Sequence, residues 1–179
     1  WGLGFWSTSM RYRVYFFFDD QGAIVSNPTI RKLWPPWAPF SWIQHTPVVA
    51  GRPLINFSFA LNYAVSELNP LGYHLVNLLI HLFNGILVYF LANHYLHKIQ
   101  VTQTNHSIFD SRNHLDFWIT FLWALHPVHN EIINYTSQRT EALMSTFFLL
   151  TLLMSARVYQ KGRISFKIAA VTSCFAGML

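Results

Sequence analysis

Two adjacent carboxylates, Asp19 and Asp20, are the first side chains in this sequence that could do chemistry. They open a short polar break, Asp-Asp-Gln-Gly, which follows a run of aromatic and apolar residues. A carboxylate beside a membrane suits a general base that takes a proton from a hydroxyl group, or a ligand for a metal ion. The alternative is a solvated turn that only ends the preceding helix. The residues from elsewhere in the chain that lie beside this pair decide between the two interpretations.

Cationic and imidazole side chains further along the chain could hold an anion. Arg52 stands at a predicted membrane boundary, where a guanidinium can bind a phosphate through two hydrogen bonds or simply anchor the chain. A second polar stretch contributes His126, His129, Glu131, Arg139 and Glu141. Its histidines do not form the His-Glu-x-x-His zinc motif, and the intervening Pro127 would distort a helix. We therefore expect no metal site made of these residues; the stretch brings imidazoles, an arginine and two carboxylates close together in the sequence.

Polar residues also recur inside the most apolar stretch of the chain. His74, Asn77, His81 and Asn84 follow one another at intervals of three, four and three residues. That spacing puts all four on one face of a helix. The face forms hydrogen bonds to neighbouring helices, or it lines a lipid-phosphate or substrate channel in which His74 contacts the ligand.

The composition indicates that this chain is surrounded by lipid rather than by water. Of the 179 residues, 53% are hydrophobic and 11% are charged, against about 25% charged in ordinary soluble domains. A soluble core of this size could not hide so many large apolar side chains. The net charge of +5 comes from short basic groups between apolar runs, which are typical of contacts with lipid headgroups rather than nucleic acid. The sequence therefore predicts an integral membrane protein with membrane lipids as its surroundings.

The predicted fold is an all-α polytopic transmembrane helix bundle with a long outer interfacial loop. Residues 1–18 are the end of a first membrane helix or an interfacial segment. Residues 19–72 are an outer loop with short interfacial helices, because its prolines allow no long helix and its tryptophans favour the membrane boundary. Residues 73–179 are transmembrane helices with a second outer loop near 126–141. Both ends of the sequence fall within apolar runs, so we expect it to be part of a longer protein.

The distribution of positive charge predicts the orientation in the membrane. The short loop at 157–167 is rich in lysine and arginine, so the positive-inside rule makes its side cytoplasmic. Counting crossings then puts Asp19–Asp20 and the 126–141 stretch together on the opposite face. The expected location is a bacterial inner membrane or the endoplasmic reticulum membrane, with the acidic pair on the periplasmic or lumenal side.

Several strings occur together in an order that resembles one known family. They are FDDQGAIVSNP (18–28), GRPL (51–54) followed by FALNY (59–63), NPLGYHLVN (69–77), ALHPVHNE (124–131) and SQRTE (137–141). In this order they resemble the membrane half of the transmembrane and tetratricopeptide-repeat O-mannosyltransferases and their bacterial relatives. Those proteins are GT-C glycosyltransferases that use polyprenyl-phosphate sugars.

The resemblance implies a reaction and a set of roles. A sugar would pass from a polyprenyl- or dolichyl-phosphate donor to a hydroxyl acceptor at the outer face. Asp19 or Asp20 would be the base, and the lipid phosphate and substrate would contact a larger set of residues. That set is Arg52, His74, His126, His129, Glu131, Arg139 and Glu141. No cofactor other than the lipid-linked sugar is implied.

The chain also departs from the family pattern. It has fewer transmembrane helices than the family, and it shows no tetratricopeptide repeat. It would therefore act as an enzyme only if the full-length protein completes the cavity. The alternative is a non-catalytic transmembrane accessory subunit of a larger membrane complex. A transporter fragment ranks last, because the sequence shows no inverted repeat.

Overall fold

The computed structural model describes residues 16, 19–34, 52–102 and 114–178, and every regular element in these ranges is helical. The α-helices are α1 (Pro53–Ser66), α2 (Pro70–Thr102), α3 (Leu115–Ala124), α4 (Asn130–Asn134), α5 (Arg139–Lys161) and α6 (Ile164–Met178). A π-helical turn at Gln21–Val25 precedes them, and 3-10 turns occupy Thr29–Arg31, Pro127–His129 and Thr136–Gln138. The expected all-α fold is confirmed. Most of the predicted first segment (1–18) and of the tryptophan-rich loop lies outside the described residues.

Two stretches of helix are long and apolar enough to cross a membrane. They are Pro70–Lys98 with 29 residues and Thr136–Gln160 with 25 residues. At 1.5 Å per residue each exceeds a hydrocarbon layer of about 30 Å. Large apolar side chains such as Leu75, Leu79 and Phe83 point outward from α2 and are about half exposed. Their exposure suits contact with lipid rather than water.

Helix α3 is too short to cross a membrane. It ends at Ala124 and does not continue through Pro127, so its ten residues rise only about 15 Å. By its sequence alone, the apolar run Leu115–Leu125 is compatible with a kinked span that continues through Pro127 or with a half-span supported by its neighbours, and the structure shows the shorter helix. Its last turn lies against α2, where the ring of His81 is within hydrogen-bond distance (3.1 Å) of the Ala124 carbonyl oxygen.

The corner between α1 and α2 requires a glycine. Glu67 ends α1 with a φ of +49°, and the chain then turns tightly into Pro70. A Cβ atom added to Gly72 would clash with the side chain of Ser66 in the last turn of α1. The close approach of the two helices at this point therefore excludes any side chain at position 72.

The polar face of α2 packs inward. Asn77, His81 and Asn84 are at most 4% exposed. The Asn77 amide donates to the carbonyl oxygens of Ile132, Tyr135 and Thr136 at 3.2–3.3 Å. The Asn84 amide donates to the Ala142 carbonyl oxygen at 2.9 Å. For these three residues the interhelical interpretation is confirmed. His81 and Asn77 meet backbone carbonyls at the ends of the short α3 and α4, and Asn84 meets one in the first turn of α5.

Candidate functional site

A buried arginine, Arg139, joins three helices where α5 begins. Its side chain is fully buried, and Nε donates to Asn77 Oδ1 at 2.8 Å. One Nη donates to Asn62 Oδ1 at 2.7 Å and to the Tyr73 carbonyl oxygen at 3.1 Å. The other Nη donates to the Ser58 carbonyl oxygen at 3.3 Å. These bonds engage four of the five guanidinium donors, so at most one remains for a ligand.

Aromatic rings complete the surroundings of this guanidinium. Its central carbon lies 4.6 Å from the ring centroid of Phe59 and 5.6 Å from that of Tyr73. Both rings are fully buried. Cation–π attraction is strongest where water is excluded. The environment is therefore built to hold a positive charge in the interior, with α1, α2 and α5 each contributing to it.

Asp20 supplies the negative charge next to this cation. It is fully buried; its Oδ1 accepts a hydrogen bond from the Ser137 backbone N–H at 2.6 Å, and its Oδ2 accepts one from Thr136 Oγ1 at 2.8 Å. These donors belong to the 3-10 turn that leads directly into α5, where a carboxylate is stabilised by the helix dipole. Asp20 and Arg139 also attract each other electrostatically. Asp20 therefore acts as a helix cap from 116 residues away in the sequence.

The two adjacent carboxylates have different environments. Asp20 is buried with both oxygens bonded, whereas Asp19 is exposed. Clamping of Asp20 fixes the backbone from which Asp19 projects. The contact also joins the acidic segment to the 126–141 stretch.

The rest of the acidic segment is fastened to α1. The Asn27 amide donates to Asn56 Oδ1 at 2.9 Å, and the Asn56 amide donates to Thr29 Oγ1 at 2.9 Å. Arg31 donates to Tyr63 Oη at 2.8 Å and lies over its ring. Because the two asparagines are buried, these bonds are shielded from water. The segment that carries Asp19 and Asp20 is therefore held from both sides.

The histidines of the second polar stretch form an aromatic cluster with Trp123. The His129 ring lies 4.4 Å from Trp123, 5.2 Å from His81 and 6.3 Å from His126, between centroids. Burial, followed by the charges of His81 and His126, lowers the pKa of His129 below its usual value. Within the described parts of the chain, no three histidine, cysteine or acidic side chains are arranged to hold a metal ion.

The remaining predicted residues are spread around this end of the bundle. Glu131 and Glu141 are exposed in the first turns of α4 and α5, and His126 is exposed before its 3-10 turn. His74 is half-buried near the start of α2. Arg52 is half-buried directly before α1. The roles of these five residues in binding a phosphate or a substrate stay predictions.

An apolar cavity of about 310 Å³ lies beside Arg52. It is lined by Arg52, Leu54, Ile55, Thr140, Leu143, Met144, Phe147, Ala176, Gly177 and Met178. No hydrogen bond joins the Arg52 guanidinium to another described residue, whereas the Arg139 guanidinium makes four.

Sequence reasoning did not find several residues on which this site depends. Asn27, Asn56, Asn62 and Trp123 were not singled out, although each contacts a candidate residue or its anchor. The signal for Asn27 and Asn62 was present in the family-like strings, which include both positions. Trp123 gave no signal, because it is one of seven tryptophans in an aromatic-rich chain and no local pattern distinguishes it from the others.

The fold and this site define a helical membrane protein with a clamped acidic segment beside a buried arginine. The chain is 33% identical over 149 residues to a protein O-mannosyl-transferase of Caenorhabditis elegans, covering 79% of this chain and 20% of that relative. It is 28% identical over 173 residues to human protein O-mannosyl-transferase TMTC1, covering 89% and 18%. It is 33% identical over 165 residues to protein O-mannosyl-transferase Tmtc3 of Drosophila melanogaster, covering 78% and 16%.

These alignments identify the chain as a homologue of the TMTC family of protein O-mannosyl-transferases, and the resemblance drawn from its motifs is confirmed. The chain spans about a fifth of the length of the curated relatives it matches. No family model matches it, and no solved structure does.

Proposed function

We propose that this chain forms part of an integral-membrane glycosyltransferase of the GT-C class. The enzyme moves a mannosyl group from a polyprenyl-phosphate donor to a hydroxyl acceptor. The relatives named as protein O-mannosyl-transferases support the reaction class. The two membrane-length helices support a site at a membrane surface. The proposed surface is lumenal or periplasmic, because the basic loop at 157–167 favours the cytoplasm.

The observation that carries this proposal is the division of labour between Asp19 and Asp20. A general base must reach the substrate proton, and its position must be fixed before the substrate arrives. Asp19 is exposed, and Asp20 is locked onto Thr136 and Ser137. Asp19 is therefore the proposed base, and Asp20 is its positioning residue.

In the proposed step, Asp19 takes the proton of the acceptor hydroxyl as its oxygen attacks the anomeric carbon of the sugar. The new bond joins that oxygen to the anomeric carbon, and the bond from this carbon to the phosphate oxygen breaks. The electron pair leaves with the lipid phosphate, whose charge Arg52 stabilises. His74, His126, His129, Glu131 and Glu141 remain proposed substrate contacts around this centre. Arg139 holds α1, α2 and α5 together beneath it.

The test compares three carboxylate-to-amide changes in the full-length protein, assayed in membranes. Asp19→Asn is expected to lower transfer from a mannosyl lipid phosphate to an acceptor peptide by about 10²–10⁴-fold, because the base is lost. Its expression and thermal midpoint should match those of the parent. Glu67→Gln changes an equally exposed carboxylate on the α1–α2 corner and should leave transfer intact. Full transfer by Asp19→Asn would refute its role as base.

Asp20→Asn separates chemistry from positioning. Its side-chain amide nitrogen cannot accept a hydrogen bond, so either Thr136 Oγ1 or the Ser137 N–H loses its partner. We expect a lower thermal midpoint together with lower transfer. If both Asp19→Asn and Asp20→Asn keep full transfer, the accessory-subunit alternative replaces the enzyme.

A further inference from the structure

Positive charge is concentrated where α5 turns into α6. The stretch 157–167 contains four basic residues and no acidic one, and no acidic residue follows Glu141 in the sequence. Arg163 and Lys167 are exposed, and no hydrogen bond or ion pair joins either side chain to another described residue. Both lie next to the start of α6, where the helix dipole disfavours cations and favours anions. Contacts within the described part of the chain therefore do not account for these two cations.

One face of α6 is apolar and points away from α5. Ile164, Ile168 and Val171 are 59–73% exposed, and their intervals of four and three residues put them on one side of the helix. The opposite side packs against α5, where a Cβ atom added to Gly177 would be 3.0 Å from the Cβ atom of Phe147. Phe147 belongs to the second membrane-length stretch, so α6 lies alongside a membrane-spanning helix. Its exposed stripe therefore suits contact with lipid chains.

Lys167 lies at the edge of this apolar stripe. It comes three residues after Ile164 and four before Val171, which places it on the same side of α6. Arg163 is four residues earlier, so the two cations are neighbours on the helix surface, about 6 Å apart along its axis. Side chains of a helix point back toward its N-terminus, and a lysine stem can follow an apolar surface while its ammonium reaches the polar layer. The Lys167 ammonium can therefore reach the level of Arg163.

The neighbouring ends of α2 and α5 indicate the position of the membrane surface. The two membrane-length stretches end at Lys98 and Gln160. The Nζ of Lys98 lies 4.5 Å from the ring centroid of Tyr159, whose side chain is 81% exposed. Tyrosines and lysines are typical of the boundary between the hydrocarbon layer and the headgroups. Because Arg163 comes three residues after Gln160, its guanidinium lies at the level of the headgroups.

We propose that Arg163 and Lys167 bind the headgroup of an anionic diacyl phospholipid whose chains lie along Ile164, Ile168 and Val171. Two adjacent cations complement a negatively charged headgroup, and the exposed apolar stripe beside them fits acyl chains. A nucleic acid or an acidic protein would contact the cations and leave the apolar stripe uncovered. The site lies at the opposite end of the bundle from the buried arginine, so it does not depend on the proposed transfer reaction.

The experiment is photo-crosslinking of the full-length protein in nanodiscs of phosphatidylcholine. Phosphatidylserine and phosphatidylcholine probes, each with a diazirine in one acyl chain, are added in turn at the same small fraction. Labelled peptides are located by mass spectrometry, and we expect the phosphatidylserine probe to label residues 164–171 more strongly. Arg163→Gln and Lys167→Gln should each reduce this preference about fivefold, and the double variant about 25-fold, as expected for basic residues at an anionic surface.

Two control variants separate a defined site from the effect of net charge. Lys32→Gln removes an exposed cation from the segment at the opposite end of the bundle and should keep the preference. Combining Lys167→Ser with Ser165→Lys keeps the net charge but moves the cation about 200° around α6, away from Arg163. This combined variant should lose the preference as Lys167→Gln does. All the replaced side chains are exposed, so the thermal midpoints should match that of the parent.

Four results would overturn the proposal. The first is equal labelling by the two probes in the parent, and the second is a preference that survives the double variant or the displaced lysine. The third is the absence of any label on residues 164–171, which would show that another part of the full-length protein covers the stripe. The fourth is a polyprenyl phosphate probe that labels the stripe as strongly as phosphatidylserine, which would exclude a diacyl lipid as its specific occupant. Because transfer is not measured, the result is independent of the outcome with Asp19→Asn.

Discussion

Replacing Arg139 by lysine tests the central claim about how this bundle is held together. The change keeps the positive charge and removes the planar fork of donors. In the parent, four hydrogen bonds join the guanidinium to Ser58, Asn62, Tyr73 and Asn77, which lie on α1 and α2. A lysine ammonium carries its three donors on a single nitrogen, so it cannot reach all the acceptors that surround the edge of the flat guanidinium. We expect two of the four bonds to be lost.

The size of the effect follows from the kind of bonds that disappear. A hydrogen bond to a charged group contributes roughly 1.5–3 kcal/mol, so two of them amount to at least about 3 kcal/mol. The expected loss of about 3 kcal/mol should appear as a lower thermal midpoint.

The assay is thermal unfolding of the purified protein in detergent, followed by tryptophan fluorescence. Arg163→Lys is the matched control, because Arg163 is exposed between α5 and α6 and the same chemical change there removes no buried bond. Its midpoint should stay close to that of the parent. If Arg139→Lys shifts the midpoint no more than Arg163→Lys does, then the buried network does not hold the three helices together.

Two further predictions concern acid sensitivity and the corner between α1 and α2. Burial and the two neighbouring histidines lower the pKa of His129 below its ordinary 6.5, so the unfolded chain takes up this proton first as the pH falls. Stability from this group is complete above about pH 6.5 and decreases as the pH falls toward the lower folded pKa. His129→Phe, which keeps a ring against Trp123, should flatten the unfolding midpoint measured against pH over that window, and an unchanged slope would contradict this. Gly72→Ala should destabilise the protein by about 1–3 kcal/mol in denaturant unfolding, because its Cβ meets Ser66. Adding Ser66→Gly should recover part of the loss; Gly22→Ala, whose Cβ meets nothing within 4 Å, should behave like the parent.

The parts of this fold that could be predicted from sequence are those encoded by local periodicity. The intervals between Asn77, His81 and Asn84 predicted a buried polar face on one long helix, and the structure places these residues inward. The short apolar run before Pro127 left open a kinked span or a half-span, and α3 ends at Ala124. Both patterns repeat within a few residues, so the backbone geometry alone decides which side chains share a face.

The pairings that build the site could not be predicted in this way. Asp20 and Thr136 are 116 residues apart, and no local sequence pattern near either residue indicates that they form a hydrogen bond. The sequence treated Asp19 and Asp20 as equivalent carboxylates and Arg139 as a phosphate ligand like Arg52. Within each pair one residue is buried and the other is more accessible, and this difference arises only when α1, α2 and α5 come together. Tertiary burial, rather than residue type, distinguishes these members.

The long reach of Asp20 has a consequence for how the chain is made. Ribosomes add about 5–20 residues per second, so the 116 residues between Asp20 and Thr136 take roughly 6–23 s to synthesise. Helices α1 and α2 are translated during that interval, so the Asp20 carboxylate and the acceptors Asn62 and Asn77 are made before Thr136 and Arg139. The contacts that join the acidic segment, α1 and α2 to the start of α5 can therefore form only after Arg139 has been translated.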